Sequence, residues 1–153
     1  MKITIRRARD NDAPELSTLA KGSKAHWGYT NAQMQAWQVD LTITPEKIAS
    51  TQTFLAQADG ITAGFYSMLT GPDIWQLEHF WISPEAMGQG IGKALFSHAV
   101  SIARQGGAKA IAIDADPNAE AFYIKCGAVR VGFKDTPIPG QPARIRPQLL
   151  ITL

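Results

Sequence analysis

The sequence predicts a mixed α/β (α+β) fold: a single mostly antiparallel central sheet of about six to seven strands, flanked by helices. Three observations carry this. The elements run strand, helices, three strands, helix, strand, helix, two strands. Asp59-Gly60, set between two strand-like runs, is a strong hairpin signal. A glycine-rich turn opens the longest amphipathic stretch, as expected for a crossover helix between neighbouring strands.

Residues 2–7 alternate apolar and basic side chains and read as the first strand. Asp12, Pro14 and Glu15 then form a helix start, with Asp12 as cap, Pro14 in the first turn and Glu15 at the capping-box position. Leu16, Leu19 and Ala20 give that helix one apolar face. Gly28 breaks it, and Thr30 to Gln38 reads as a second helix carrying Met34 and Trp37. Thr44-Pro45-Glu46 starts a short third. Strands are expected over 54–58, 61–70 and 74–83, with Gly71-Pro72 turning the chain between the last two. Residues 88–105 read as a helix, because Ile91, Leu95, Ala99, Ile102 and Ala103 fall on one stripe before Gly106-Gly107. A buried-looking strand at 109–114, a helix from Pro117 to Lys125 closed by Gly127, and strands near 128–134 and 146–153 complete the chain.

No linker, repeat or low-complexity tract divides the 153 residues, so one domain over 1–153 is expected. Hydrophobic residues at 45% and charged residues at 18% are a globular balance. A net charge of +2 is too small to argue for nucleic acid or an anionic membrane, so neither is expected as a partner. Charged residues interrupt every apolar run before Asp10, and no stretch approaches the roughly 18 to 20 apolar residues of a membrane span. One cysteine, Cys126, excludes an internal disulfide and a multi-cysteine zinc site. His26, His79 and His98 have no metal-ligand spacing, so no metal is expected. A reducing, cytoplasmic setting is the default reading.

The most informative segment is Met87-Gly88-Gln89-Gly90-Ile91-Gly92-Lys93. Three glycines at alternate positions let backbone approach a ligand closely, and the following helix N-terminus offers free N–H donors and its dipole. A pyrophosphate suits such a site. A dinucleotide fingerprint fails on spacing, since Lys93 or Leu95 stands where the last small residue is required. A Walker loop fails too, with Met87 and Ala94 at its required glycine and Ser/Thr positions.

The segment resembles the coenzyme A loop of the GNAT acetyltransferases, Gln/Arg-x-x-Gly-x-Gly/Ala. Gly90 and Gly92 supply the glycines, and Met87 departs from the usual Gln or Arg. A second stretch, Asp116-Pro117-Asn118-Ala119-Glu120-Ala121-Phe122-Tyr123 with Gly127, resembles the other signature of that family and follows at the expected distance. Ser23 to Tyr29 is a weaker match to its acceptor-binding region. The resemblance implies a domain that binds acetyl-CoA and transfers the acetyl group to an amine of a small molecule or peptide. Homodimers are frequent in that family. A non-catalytic coenzyme A-binding module of the same fold is the alternative.

Residue by residue, the resemblance assigns Tyr123 as the acid facing the departing thiolate, with Phe122 and Cys126 taking the core side of its helix. Glu78 is the candidate base. Strand parity puts it on the face of Phe80 and Ile82, unless a bulge re-aims it; an edge carboxylate is the other reading, and His79 is the rival base. Phe80, Trp81 and Ile82 resemble the strand whose backbone pairs with the pantetheine arm. Met87, Gly88, Gln89, Gly90, Ile91, Gly92 and Lys93 are expected at the phosphates, with Lys125 near the 3′-phosphate. Asn118 either bonds the arm or caps its helix. Trp27, Tyr29, Trp37 and His79 are the substrate-side candidates, joined by Met34. Trp37 fits equally well as a seal over the core.

Overall fold

The computed structural model describes residues 1–153. Seven strands form one sheet in the order β1-β2-β3-β4-β5-β7-β6. β1 is Ile3–Arg7, β2 Gln52–Ala58, β3 Ile61–Leu69, β4 Ile74–Ile82, β5 Ala110–Asp114, β6 Val129–Asp135 and β7 Ile145–Thr152. Every pairing is antiparallel except β4 with β5. That parallel pair is bridged by α4 (Ile91–Gln105), the crossover expected from the sequence.

Helices cover both faces. On one, α1 (Ala13–Ala25), α2 (Asn31–Ala36) and α3 (Pro45–Ser50) close a core around Leu16, Ala20, Leu55 and Phe65. On the other, α4 and α5 (Glu120–Lys125) cover a larger core that includes Tyr66, Met68, Leu95, Ile111 and Leu149. The Asp59-Gly60 hairpin forms as expected, with φ of 51° and 85° at its two central residues. Thr30 caps α2 and its Gln33 completes the capping box, while Thr44 caps α3.

Several boundaries differ from the sequence reading. Asp12 precedes α1 but makes no side-chain cap. Its carboxylate accepts instead from Arg6, at 2.9 and 3.0 Å, and from the Arg9 backbone N–H. The expected helix at 88–105 begins only at Ile91, because Gly88 and Gly90 adopt φ of 77° and 82°, outside the helical region. The helix from Pro117 splits into a 3₁₀ turn, Pro117–Ala119, and the six-residue α5.

Two irregularities shape the centre of the sheet. β4 pairs with β5 only from Ile74 to Leu77. Beyond that point the strands diverge, and the edge of β4 from Glu78 onward has no strand beside it. β3 and β4 also slip register, so that His79 faces Ser67, Leu77 faces Met68, and Glu78 is the extra residue of a bulge. Glu78 is thereby exposed while Phe80 and Ile82 pack on the α4 core. The parity conflict in the sequence is resolved by that one residue.

Candidate active site

The divergence of β4 and β5 opens a cleft of about 1700 Å³. Along one wall run Glu78, His79, Phe80, Trp81 and Ile82. The far wall comes from the β5–α5 junction, with Asp116, Asn118, Phe122 and Tyr123. Met87, Gly88, Gly90, Gly92 and Lys93 reach the cleft from the loop before α4. Lys125 joins them from the end of α5.

At that loop, Gly88 and Gly90 take left-handed backbone conformations that other residues adopt only with strain. Gly92 differs: a Cβ there would stand 3.1 Å from the Phe122 ring, close enough that the ring would have to shift. The first turn of α4 leaves its N–H groups without intrahelical acceptors at the rim. Two expected contacts are corrected. Ile91 is only 1% exposed and lies in the core, so it offers its backbone and not its side chain. Gln89 faces away from the cleft and donates to the Glu85 carbonyl at 3.4 Å.

Tyr123 is the most buried residue of α5, at 5% exposure, with its ring against Phe80, Phe96 and Phe122. This reverses the expected orientation of the helix, since Phe122 and Cys126 are only half-buried. Burial raises the Tyr123 phenol well above its ordinary value, with smaller contributions from Asp116 and Cys126. Its hydroxyl remains protonated at neutral pH.

The two base candidates differ sharply. Although its surface is exposed, the cleft walls partly desolvate the Glu78 carboxyl and raise it, with Asp114 across the split adding to the effect. Burial, reinforced by Lys47, lowers His79 to about 4. Its Nδ1 accepts from Trp81 Nε1 at 3.1 Å, so His79 is neutral and one ring nitrogen is already committed.

Among the substrate-side candidates, Trp27 is 40% exposed at the cleft mouth, and Trp37 lines the cleft as it packs on the smaller core. Met34 packs there too but does not reach the cleft. Tyr29 is corrected: it is buried behind the wall, and its hydroxyl organises other groups. That hydroxyl donates to Asp116 at 2.9 Å and accepts from Asn118 and Arg144, each at 3.2 Å. Asn118 does not cap its helix. Asp116 does, accepting from the Asn118 backbone N–H at 2.9 Å.

Three residues of this group escaped the sequence reading. Lys24 bonds Asp116 at 2.9 Å, and Arg144 bonds it at 3.4 Å. Lys24 and Asp116 lie inside stretches singled out for other members, and their opposite charges are the signal that marks them. Arg144 follows the Pro-rich 137–143 loop and has no local signal; only the fold brings it to α1.

Solved structures share this architecture along the whole chain. A GCN5-related N-acetyltransferase from Rhodopseudomonas palustris superposes with a TM-score of 0.82 at 23% identity, covering 100% of this chain and 97% of its own. The PaiA N-acetyltransferase from Thermoplasma acidophilum, solved in complex with coenzyme A, gives 0.78 at 20% identity and 100% coverage of both. The IAA acetyltransferase from Bacillus cereus gives 0.72 at 19% identity, covering 99% of this chain and all of its own. At these identities the likeness shows the fold alone. No curated protein sequence matches the chain significantly. The family itself is shown by a sequence model matching residues 19–128, which places the chain in the acetyltransferase (GNAT) family.

Proposed function

We propose that this protein is an acetyl-CoA-dependent N-acetyltransferase that moves the acetyl group to the primary amine of a small molecule or peptide. The observation that carries this reading is the unpaired edge of β4 beyond Leu77, opening beside the glycine turn at the start of α4. The backbone of Phe80, Trp81 and Ile82 suits a pantetheine arm laid down as an added strand. The N–H groups around Gly90 and Gly92, with Lys93 nearby, suit the pyrophosphate.

The chemistry follows from the two walls. An alkylamine has a pKa of about 10.4 and arrives as ammonium, so a proton must leave before its nitrogen can attack. Glu78, a carboxylate made more basic by its surroundings, takes that proton directly or through water. His79 is the poorer base, because its proton affinity is depressed and one nitrogen is occupied. The amine nitrogen then bonds the thioester carbon, the carbon–sulfur bond breaks, and its electron pair leaves on sulfur. A thiol of pKa about 8.5 is a stronger acid than the raised Tyr123 phenol, so full proton transfer from Tyr123 would run uphill. Tyr123 therefore serves as a hydrogen-bond donor to the departing thiolate, while the second proton, which the acetylated nitrogen sheds as it becomes an amide, passes through solvent to the sulfur.

Coenzyme A is expected to raise the melting temperature, whereas NAD and ATP at equal concentration are not. Binding only to the folded state adds RT ln(1 + [L]/Kd), about 2.7 kcal/mol at a hundredfold excess over Kd. Stabilisation by NAD and none by coenzyme A would overturn the reading.

A further inference from the structure

Lys24, Asp116, Arg144 and Tyr29 form a buried polar cluster at the acceptor end of the cleft, and its charges do not cancel. We infer that the acceptor amine carries a carboxylate, held by Lys24 and Arg144. This rests on the acetyltransferase reading above and names the class of molecule that would enter from the acceptor side.

The first argument is charge. Two cations share the single carboxylate of Asp116, at 2.9 and 3.4 Å, with side chains of Lys24, Arg144 and Asp116 only 11%, 4% and 7% exposed. The next acid, Asp114, is already committed to Arg146 at 2.8 Å and to Lys134 at 3.7 Å. With Lys24 and Arg144 both protonated the cluster carries one positive charge more than Asp116 cancels; burial, opposed by Asp116, lowers the Lys24 ammonium, and a bound carboxylate would hold it charged.

The second argument is the count of donors. Arg144 spends Nη1 on the carbonyl and hydroxyl of Thr136, and Nη2 on Tyr29 and Asp116. Its Nε is buried and unpartnered. Lys24 has three N–H donors and spends one on Asp116. Three donors remain unspent, and a carboxylate is an acceptor with no hydrogen to clash with them.

The third argument concerns what the aromatic walls are already doing. Rings of this kind can hold a cationic substrate. Here the Lys24 ammonium lies 4.1 Å from the Trp37 ring centre and 5.1 Å from that of Tyr29, while the Arg144 guanidinium lies 5.3 and 5.5 Å from the same rings. A polyamine would meet two fixed cations already seated on these rings. Like charge there selects against it.

Finally, the cluster is within reach of the reaction centre. Trp81 lies 5.9 Å from Lys24 Nζ at its ring, and its Nε1 donates to His79, the neighbour of Glu78. Three residue steps along the strand lead from Trp81 to Glu78, about 10 Å of backbone. On this inference the acceptor's carboxylate lies on Lys24 and its amine along β4 toward Glu78.

The test compares matched acceptors with the purified protein and acetyl-CoA, following thiol release. β-Alanine, γ-aminobutyrate and glutamate are set against ethylamine, propylamine and putrescine. The acids are expected to show kcat/KM values about tenfold or more above the counterparts that lack a carboxylate. In Lys24→Met that ratio should collapse towards unity, and Lys24→Arg should restore most of it. Equal or better use of propylamine or putrescine would overturn the inference, as would a preference for acids that survives Lys24→Met. So would a panel in which no acid reacts or shifts the melting temperature of the coenzyme A complex. The wild-type comparison stands even if a cluster variant does not fold. Calorimetry with coenzyme A comes first: absence of binding there would bring down the acetyltransferase reading, whereas coenzyme binding with indifference to acceptor charge would sink this inference alone.

Discussion

Tyr123 has two duties, since its ring fills the core beside Phe80 and Phe96 while the residue also lines the cleft. Tyr123→Phe separates them. The ring packing survives, so the folded state should lose about 1 kcal/mol or less. kcat should fall roughly 10²- to 10³-fold, the usual cost of one lost donor to a developing anion, with little change in the KM for acetyl-CoA. An unchanged kcat with a lowered melting temperature would make Tyr123 a core residue only. The sequence singled this tyrosine out by motif, yet helical rotation turned it the wrong way. The cause is local: α5 has only six residues, too few for a period to be read, and the tight turns at either end set its inward face. Glu78 was legible as a conflict between its chemistry and its parity. Arg144 was not legible at all, because its partners Tyr29 and Asp116 lie 115 and 28 residues away.

At the scale of elements, the loop before α4 was legible because its physics is local. Glycines that must leave the helical region, followed by an apolar stripe, announce both the turn and the helix. Their roles nevertheless divide. Gly90→Val forces a β-branched residue into a left-handed conformation, at φ 82°, and should abolish coenzyme A binding in calorimetry while the core stays folded. Met87→Arg adds a cation at the rim of the cleft and should hold or tighten that affinity. Normal affinity in a folded Gly90→Val protein would move the phosphate site elsewhere. Strand β4 was readable in its extent, from Ile74 to Ile82, and its bulge was anticipated as the way out for Glu78. The end of its pairing at Leu77 was not readable, since that depends on where β5 stops and the chain turns into Asp116.

For the whole molecule, the number and order of the elements were legible, because the periods are clear and the turns well marked. Which strands became neighbours was less so, and pH offers a global probe of one buried group. In the folded chain His79 titrates at about 4, against 6.5 ordinarily, owing first to burial and then to Lys47, with Asp40 opposing. Between pH 6.5 and 4 the unfolded chain therefore binds a proton that the folded chain refuses. Stability is complete above that window and declines as the pH falls through it, by up to about 3 kcal/mol. Urea melts across this range should show the slope in the wild type and a flatter one in His79→Gln, whose amide can still accept from Trp81. An identical slope in both would mean that His79 is not desolvated. The strand order has a consequence for how the molecule comes into being. β7 is the last strand in the chain, yet it lies between β5 and β6 and is the only neighbour β6 has. As the polypeptide leaves the ribosome, the meander β1 to β4 can zip up in the order of its synthesis. β5 and β6 must wait, each with an open edge, until Ile145–Thr152 arrives to join them, so the half that completes the cleft is finished last.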